Sequence, residues 1–132
     1  MHPVTKPRVL IVDDEPETIR GLTLGLRSRG YPVEAAFNAA EAIRLLGDPS
    51  RFGMVVTDYS MPGINGIEFL GVVRAGCGPL PVILMTAYGN TDVLVDALRN
   101  NCDGFIEKPF TVEEIITEIE RVLHGRADSR WP

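Results

Sequence analysis

The strongest constraint on the fold of this chain is a regular alternation of short apolar runs with longer segments of helical periodicity. The apolar runs lie at residues 9–12, 33–36, 54–56, 82–85 and 104–106. Most of them lack the period-two alternation of a half-exposed strand, and they are bounded by Pro, Gly or Asp. Such runs are typical of parallel strands that are covered on both faces.

The segments between these runs carry apolar residues at the 3.6-residue spacing of amphipathic helices. Asn38 with Glu41, and Thr111 with Glu114, form capping-box patterns that mark two helix starts. Five strands that alternate with five helices predict right-handed βαβ units. We therefore expect an α/β fold, with a parallel sheet and helices on both of its faces.

The length of the chain fits one such unit. Its 132 residues are enough for a single hydrophobic core and too few for two. The pattern predicts one domain over residues 8–124. Residues 1–7 are predicted to be an N-terminal tail, and residues 125–132 a C-terminal tail or the start of a linker.

Charge and composition exclude several classes of function. The 13 Lys and Arg residues against 18 Asp and Glu give a net charge of −5 and form no basic stripe, so direct binding to nucleic acid or to an anionic membrane has no electrostatic basis. No apolar run approaches the roughly 18 residues of a membrane span, and the N-terminus has no apolar signal core. We expect a cytoplasmic protein. Cys77 and Cys102 lack the spacing of a metal or redox site, so we expect buried free thiols.

Polar side chains follow the predicted strands at one edge of the sheet, where an open α/β fold binds its ligand. Asp13 and Asp14 follow the first strand, Asp58 the third, Thr86 the fourth and Lys108 the fifth. Clustered carboxylates repel one another and recruit a hard cation such as Mg²⁺, while an ammonium and a hydroxyl suit a phosphoryl group. Each residue alone has an ordinary structural explanation, but together they predict Mg²⁺-dependent phosphoryl transfer onto a carboxylate.

The segments around these positions resemble a known family. Residues 12–16 (VDDEP), 57–66 (TDYSMPGING), 85–87 (MTA) and 103–110 (DGFIEKPF) are similar to the receiver domain of bacterial two-component response regulators, and the resemblance extends over residues 8–123. It implies a doubly wound, CheY-like (βα)5 fold with a five-stranded parallel sheet in the order 2-1-3-4-5.

The resemblance also implies roles for the acidic residues. Asp58 would be the phosphoacceptor, receiving a phosphoryl group from the phosphohistidine of a sensor histidine kinase or phosphotransfer protein, or from a small acyl phosphate. Asp14, Asp58 and the backbone carbonyl of Ser60 would bind Mg²⁺ directly, and Asp13 would act mainly through a water.

A switch is implied in the same way. Lys108, aimed by a cis bond to Pro109, would pair with a phosphoryl oxygen, and Thr86 would donate a hydrogen bond to the phosphoryl group and move its loop. Phe105 stands at the aromatic switch position, with plain core packing as the alternative. The surface formed by helix 4, strand 5 and helix 5 would then signal to a downstream protein, to a missing output domain or through a phosphorylation-dependent homodimer.

Three further positions depart from or tune the family pattern. Ser60 and Tyr88 lie where the family adjusts the loss of the phosphoryl group, and we hypothesise that Tyr88 shields the acyl phosphate from water. Asn101 stands where the family often has Gly, and Asn suits a left-handed backbone conformation.

Two other function classes stay open at this point. A phosphatase with an aspartyl nucleophile needs a second carboxylate as general acid/base close after Asp58, where Tyr59 and Ser60 stand. A flavin-binding electron carrier has the same strand order but needs a phosphate-cradling loop after the first strand, where residues 13–15 are acidic. The leading interpretation is therefore a signalling domain and not an enzyme, except toward its own phosphorylation and dephosphorylation. Whether it stands alone or belongs to a larger regulator or hybrid kinase is open.

Overall fold

Five strands alternate with five α-helices in the computed structural model, which describes residues 6–87 and 89–127. The strands are β1 (Val9–Val12), β2 (Val33–Ala36), β3 (Met54–Asp58), β4 (Val82–Ala87) and β5 (Gly104–Lys108). The helices are α1 (Pro16–Ser28), α2 (Ala39–Leu45), α3 (Gly66–Cys77), α4 (Thr91–Arg99) and α5 (Val112–Ala127), with a short 3-10 helix at Pro49–Arg51. No helix in these described ranges is both long enough and apolar enough to cross a membrane.

The strands form one parallel sheet in the order β2-β1-β3-β4-β5, which confirms the predicted topology. The chain leaves β1 toward one edge of the sheet and returns past it to β3, so strand order reverses between these two neighbours. In their register Val12 lies beside Thr57. The residues that follow, Asp13 and Asp58, are therefore brought together at the carboxyl edge.

Helices cover both faces of the sheet, as predicted. Alternate side chains of β1 point to opposite faces because the side-chain period of a strand is two. Val9 and Ile11 pack in a core with residues of α1 and α5, whereas Leu10 and Val12 pack in a second core with residues of α2 and α3. All four are completely buried. Continuous burial explains why the run at residues 9–12 has no polar alternation.

A third and smaller apolar cluster lies under α4. It is formed by the buried side chains of Leu84, Val93 and Ala97, with Tyr59 and Ile67 packed against it. These residues anchor α4 to the outer half of the sheet.

Three strands extend two residues further than the apolar runs predicted. Asp58 and Lys108 are the last residues of β3 and β5, and Thr86 is the last but one of β4. The pairing continues through these polar residues because backbone hydrogen bonds do not require apolar side chains, and Asp58 lies in register with Met85. The site residues therefore stand on the ends of rigid strands rather than after them.

The predicted helix starts are partly confirmed. The capping box at the start of α5 is complete: Glu114 N donates to Thr111 Oγ1 (3.1 Å) and Thr111 N donates to Glu114 Oε1 (2.9 Å). At α2, Glu41 N donates to Asn38 Oδ1 (2.8 Å), but the Glu41 carboxylate accepts from the backbone N–H of Phe37 instead of closing the box.

A helix and a side-chain contact lie at the predicted ends of the domain. Helix α5 continues to Ala127, past the predicted boundary at residue 124. In the predicted N-terminal tail, Lys6 contacts the domain, with its Nζ 4.7 Å from the centroid of the Tyr31 ring. The rest of the two predicted tails includes residues 1–5 and 128–132, which lie outside the described residues.

Two further predictions concern single residues near β5. Asn101 has φ 59°, which confirms the left-handed conformation expected there. Cys77 and Cys102 are free thiols, as expected, but both are half-buried rather than buried. Cys102 lies in the turn before β5, where its thiol reaches the Val82 carbonyl.

Candidate functional site

Three carboxylates meet at the carboxyl edge of the sheet. One oxygen from each of Asp13, Asp14 and Asp58 lies within 4.8 Å of the others. Asp13 is completely buried, Asp58 is 8% exposed and Asp14 is exposed. The adjacent ends of β1 and β3 produce this cluster, because two parallel strands in register end side by side. Hard oxygen donors at this spacing suit Mg²⁺.

The ionised form of Asp58 is disfavoured in this cluster. Burial is the largest influence and raises the pKa of Asp58; the Asp13 charge raises it further, whereas the Lys108 ammonium lowers it, and the net shift is upward. A buried carboxylate beside another carboxylate is stabilised by a nearby cation. The site is therefore built to gain from additional positive charge.

Lys108 supplies one positive charge from the end of β5. Its Nζ donates to Asp13 Oδ2 at 2.8 Å and lies 3.3 Å from Asp58 Oδ1. Burial alone would lower the pKa of Lys108, but the hydrogen bond from its ammonium to Asp13 and the charges of Asp58 and Asp13 outweigh it, so the pKa is raised. The Lys108–Pro109 peptide bond is cis, as expected.

The two oxygens of Asp13 are both occupied by protein donors. Oδ2 accepts from Lys108 and Oδ1 accepts from the backbone N–H of Glu15 at 2.9 Å. These bonds hold the Asp13 side chain in place at the entry to α1. Asp58 is likewise hydrogen-bonded to Lys108 and to the backbone N–H of Ser60, so the exposed Asp14 is the most open carboxylate of the cluster.

Thr86 carries a buried hydroxyl without a partner. The residue is 2% exposed, and its Oγ1 has no hydrogen bond to any described residue. A buried polar group without a partner costs about 1–3 kcal/mol. The hydroxyl is thus available to an acceptor that enters the site.

A cavity of about 780 Å³ opens beside these residues. One part of its wall is polar and contains Asp58, Ser60, Thr86 and Lys108. The other part lies between α1 and the start of α5, where the apolar side chains are Leu22, Phe110 and Val112. The cavity therefore combines one polar and one apolar wall.

The remaining predicted site residues have different positions. Ser60 is exposed at the rim of the cavity. Phe105 is half-buried in β5, and its backbone N–H donates to Glu118 Oε2 at 2.8 Å. Phe105 is therefore only partly in the core. Tyr88 lies outside the described residues.

The loop after Asp58 is shaped by a capping box that is not one of the two predicted ones. Glu68 N donates to Asn65 Oδ1 (2.8 Å) and Asn65 N donates to Glu68 Oε1 (2.9 Å) at the start of α3. The Asn-x-x-Glu spacing is visible in the sequence. The next residue, Gly66, donates from its backbone N–H to Tyr59 O at 2.7 Å, which ties α3 to the end of β3.

Comparison with protein families gives a consistent result. The family model described as "Response regulator receiver domain" matches residues 9–120. The chain is 32% identical over 126 residues to the transcriptional regulatory protein PrrA of Mycobacterium tuberculosis, covering 96% of this chain and 54% of PrrA. It is 33% identical over 119 residues to the transcriptional regulatory protein FixJ of Bradyrhizobium diazoefficiens, covering 90% of this chain and 58% of FixJ. The chain thus spans little more than half the length of these relatives.

Solved structures share the same architecture. The chemotaxis response regulator CheY4 of Vibrio cholerae superposes with a TM-score of 0.82 at 28% identity, over 89% of this chain and 99% of that one. NtrX from Brucella abortus gives a TM-score of 0.88 at 28% identity, over 95% of this chain and 28% of that one. The fold therefore occurs both as nearly a whole protein and as one part of a longer one.

Proposed function

This chain belongs to the response regulator receiver domain family, and on that basis we propose that Asp58 accepts a phosphoryl group in a Mg²⁺-dependent reaction. The donor is the phosphohistidine of a sensor histidine kinase or phosphotransfer protein. One observation carries the proposal: the Asp58 carboxylate lies among two further carboxylates, the Lys108 ammonium and the unpartnered Thr86 hydroxyl.

The reaction requires little covalent chemistry from the protein. An oxygen of Asp58 attacks the phosphorus, an O–P bond forms and the P–N bond to the donor imidazole breaks, so the imidazole leaves with the electron pair and takes up a proton. Lys108 lies within 3.3 Å of Asp58 and offers its ammonium to the phosphoryl oxygens. Because burial raises the pKa of Asp58, added positive charge favours its ionised, reactive form.

Asp14, Asp58 and the backbone carbonyl of Ser60 are the groups that would hold Mg²⁺, with Asp13 acting indirectly. When bound, Mg²⁺ neutralises charge on the phosphoryl oxygens and on the carboxylates that would otherwise repel them. The oxygen-only donor set supports this choice of metal. Asp13 contributes indirectly, because its hydrogen bond holds the Lys108 ammonium in place.

The phosphoryl group acts as a switch through Thr86. Its hydroxyl has no partner among the described residues and gains one when it donates to a phosphoryl oxygen. Movement of Thr86 shifts the populations of the Phe105 rotamers and of the conformations of the surface made by α4, β5 and α5. The reason is that a ligand favours the state with which it interacts more strongly. Ser60 and Tyr88 adjust the lifetime of the modification.

The signal passes to a downstream protein, to an output domain or to a second copy of the chain. PrrA and FixJ are named transcriptional regulatory proteins, and the chain spans 54% and 58% of their lengths. With a net charge of −5, the domain itself contacts neither nucleic acid nor membrane, and it works in the cytoplasm. It acts as a signalling domain and catalyses only its own phosphorylation and dephosphorylation.

Intact-mass analysis after incubation with acetyl phosphate tests this function. Wild type should gain one phosphoryl group with Mg²⁺ and none after chelation, and Asp58→Ala should gain none under either condition. Asp48→Ala is the matched control, because Asp48 is an exposed carboxylate outside the cluster. Uptake by Asp58→Ala equal to that of wild type would contradict the assignment.

A further inference from the structure

Glu107 connects β5 to the loop that follows Thr86. It is exposed and stands directly before Lys108, and in the register of β4 and β5 it lies beside Thr86. Its carboxylate Oε2 accepts a hydrogen bond from the backbone N–H of Gly89 at 2.8 Å. We call this bond the Glu107 latch. It joins the end of one strand to the β4–α4 loop of its neighbour.

The other backbone hydrogen bonds of this loop are local. Asn90 N donates to Ala87 O at 3.3 Å and Thr91 N donates to Gly89 O at 3.0 Å. Both bonds can stay intact when the loop moves, because each joins residues within it or at its ends. The latch instead ties the loop to a strand that is paired along its length with β4. A hydrogen bond to an ionised carboxylate is also stronger than one between neutral groups.

The backbone of Gly89 makes this bond possible. Its φ is +82°, a conformation that residues with a Cβ rarely adopt. Gly89, whose N–H donates to Glu107, lies three residues after Thr86. The buried Thr86 hydroxyl has no hydrogen-bond partner among the described residues. A movement of Thr86 that carried Gly89 away from β5 would stretch or break the latch.

We propose that Glu107 is a positioning residue that holds the β4–α4 loop in its unphosphorylated arrangement and so opposes the movement of Thr86 toward a phosphoryl group. The inference rests on the proposed function, because it takes Thr86 as the residue that moves. Loss of the latch increases the population of the arrangement that phosphorylation favours. Glu107 thereby sets how readily the domain responds to its donor.

The test combines two measurements on the full chain. NMR solvent exchange of the Gly89 amide reports the latch in the unphosphorylated protein, and intact mass against time with acetyl phosphate and Mg²⁺ reports the rate of phosphorylation. Glu107→Ala should speed both by about three- to tenfold, the effect of one hydrogen bond of ordinary net strength. The midpoint of urea unfolding should stay near that of wild type.

Two variants distinguish the effect of losing the Glu107 hydrogen bond from the effect of losing a negative charge. Glu107→Gln keeps an acceptor oxygen without the charge, so it should fall between wild type and Glu107→Ala in both measurements. Glu120→Ala removes an exposed carboxylate from α5 and should change neither.

Two results overturn the inference. The first is a Gly89 amide that exchanges equally in wild type and Glu107→Ala, and the second is faster exchange with an unchanged phosphorylation rate. Absence of phosphoryl uptake by wild type is a different result, because it removes the proposed function itself and the latch's role with it.

Discussion

At the scale of single residues, the candidate site leaves two polar groups poorly satisfied. Asp58 is a carboxylate whose pKa is raised by burial, and Thr86 has a buried hydroxyl without a partner among the described residues. Functional sites commonly retain such groups at the expense of stability. Replacing either group should therefore stabilise the folded protein while removing its response.

Asp58→Asn should raise the free energy of unfolding at pH 7 by about 0.5–2 kcal/mol, the range of single stabilising substitutions. The pKa of Asp58 is raised above its usual 3.8, so the folded protein holds this proton where the unfolded chain has lost it. The carboxylate thus lowers stability as pH rises through that window, and the penalty is absent below it. Urea unfolding at pH 7 and near pH 4 should show a gain at pH 7 that shrinks at the lower pH.

Asp48→Asn is the control for that experiment, since Asp48 is exposed and lies outside the cluster. Its effect on stability should be small at both pH values. An Asp58→Asn protein that is less stable than wild type at pH 7 would show that the Lys108 contact outweighs burial.

Thr86→Val should raise the free energy of unfolding by about 1 kcal/mol, because a methyl group replaces an unpartnered buried hydroxyl of similar shape. Thr57→Val is the matched comparison: Thr57 is also buried, but its Oγ1 donates to Asp58 O at 3.1 Å. That variant should lose about 1 kcal/mol. Urea unfolding of the two variants should therefore give opposite signs, and equal signs would contradict the account.

The sequence predicts which residues meet at the site, but it does not predict several of the contacts between them. The position of Asp13, Asp58 and Lys108 at strand ends predicts that they meet. That each oxygen of Asp13 accepts a hydrogen bond, from Lys108 and from Glu15 N, depends on side-chain geometry that no local pattern encodes. The Glu107 latch is also invisible in sequence, because it joins positions 18 residues apart through a loop of irregular backbone.

At the scale of elements, α3 approaches the end of β3 unusually closely. A Cβ added at Gly66 would lie 2.8 Å from Asp58 O and 2.8 Å from Tyr59 Cα, both backbone atoms, and 2.6 Å from Leu84 Cδ1. Backbone atoms cannot yield as a flexible side chain can. Gly66 therefore fixes the distance between α3 and the strand that carries Asp58.

Gly66→Ala should lower the free energy of unfolding by about 1–3 kcal/mol, the range for overpacking, and should also slow phosphorylation by displacing Asp58. Gly71→Ala, in the same helix, has nothing within 4 Å of the added Cβ. It should gain up to about 1 kcal/mol from helix propensity. Urea unfolding and intact mass measure both variants, and similar losses in the two would contradict the close-approach argument.

Element type and order were predictable because period and run length differ clearly between strands and helices. The ends of the strands were less predictable than their order. Strands β3, β4 and β5 continue through polar residues, because backbone pairing and not hydrophobicity determines where they end. The incomplete box at Asn38 shows the same limit, because the Glu41 carboxylate has a competing donor in Phe37 N.

At the scale of the whole molecule, net charge and metal binding are linked. The chain carries a net charge of −5, and three of its carboxylates are concentrated at one edge of the sheet. A cation that binds the folded state alone stabilises it by mass action.

Mg²⁺ at ten times its dissociation constant should therefore stabilise wild type by about 1.4 kcal/mol. Asp14→Asn should lose most of this gain, because it removes the exposed carboxylate of the cluster, whereas Asp48→Asn should keep it. Thermal unfolding with Mg²⁺ and with chelator measures the difference. Equal Mg²⁺ effects in Asp14→Asn and wild type would place the ion elsewhere.

Helix α4 is attached to the sheet by a narrow strip. Its buried side chains are those of Val93 and Ala97, whereas Leu98 and Val95 face outward. The centre of the sheet, by contrast, is enclosed by a full core on each side. On the proposed function, the sheet is therefore best supported beside Asp58 and least constrained at α4, so a small displacement of the β4–α4 loop can tilt α4 without disturbing the two cores.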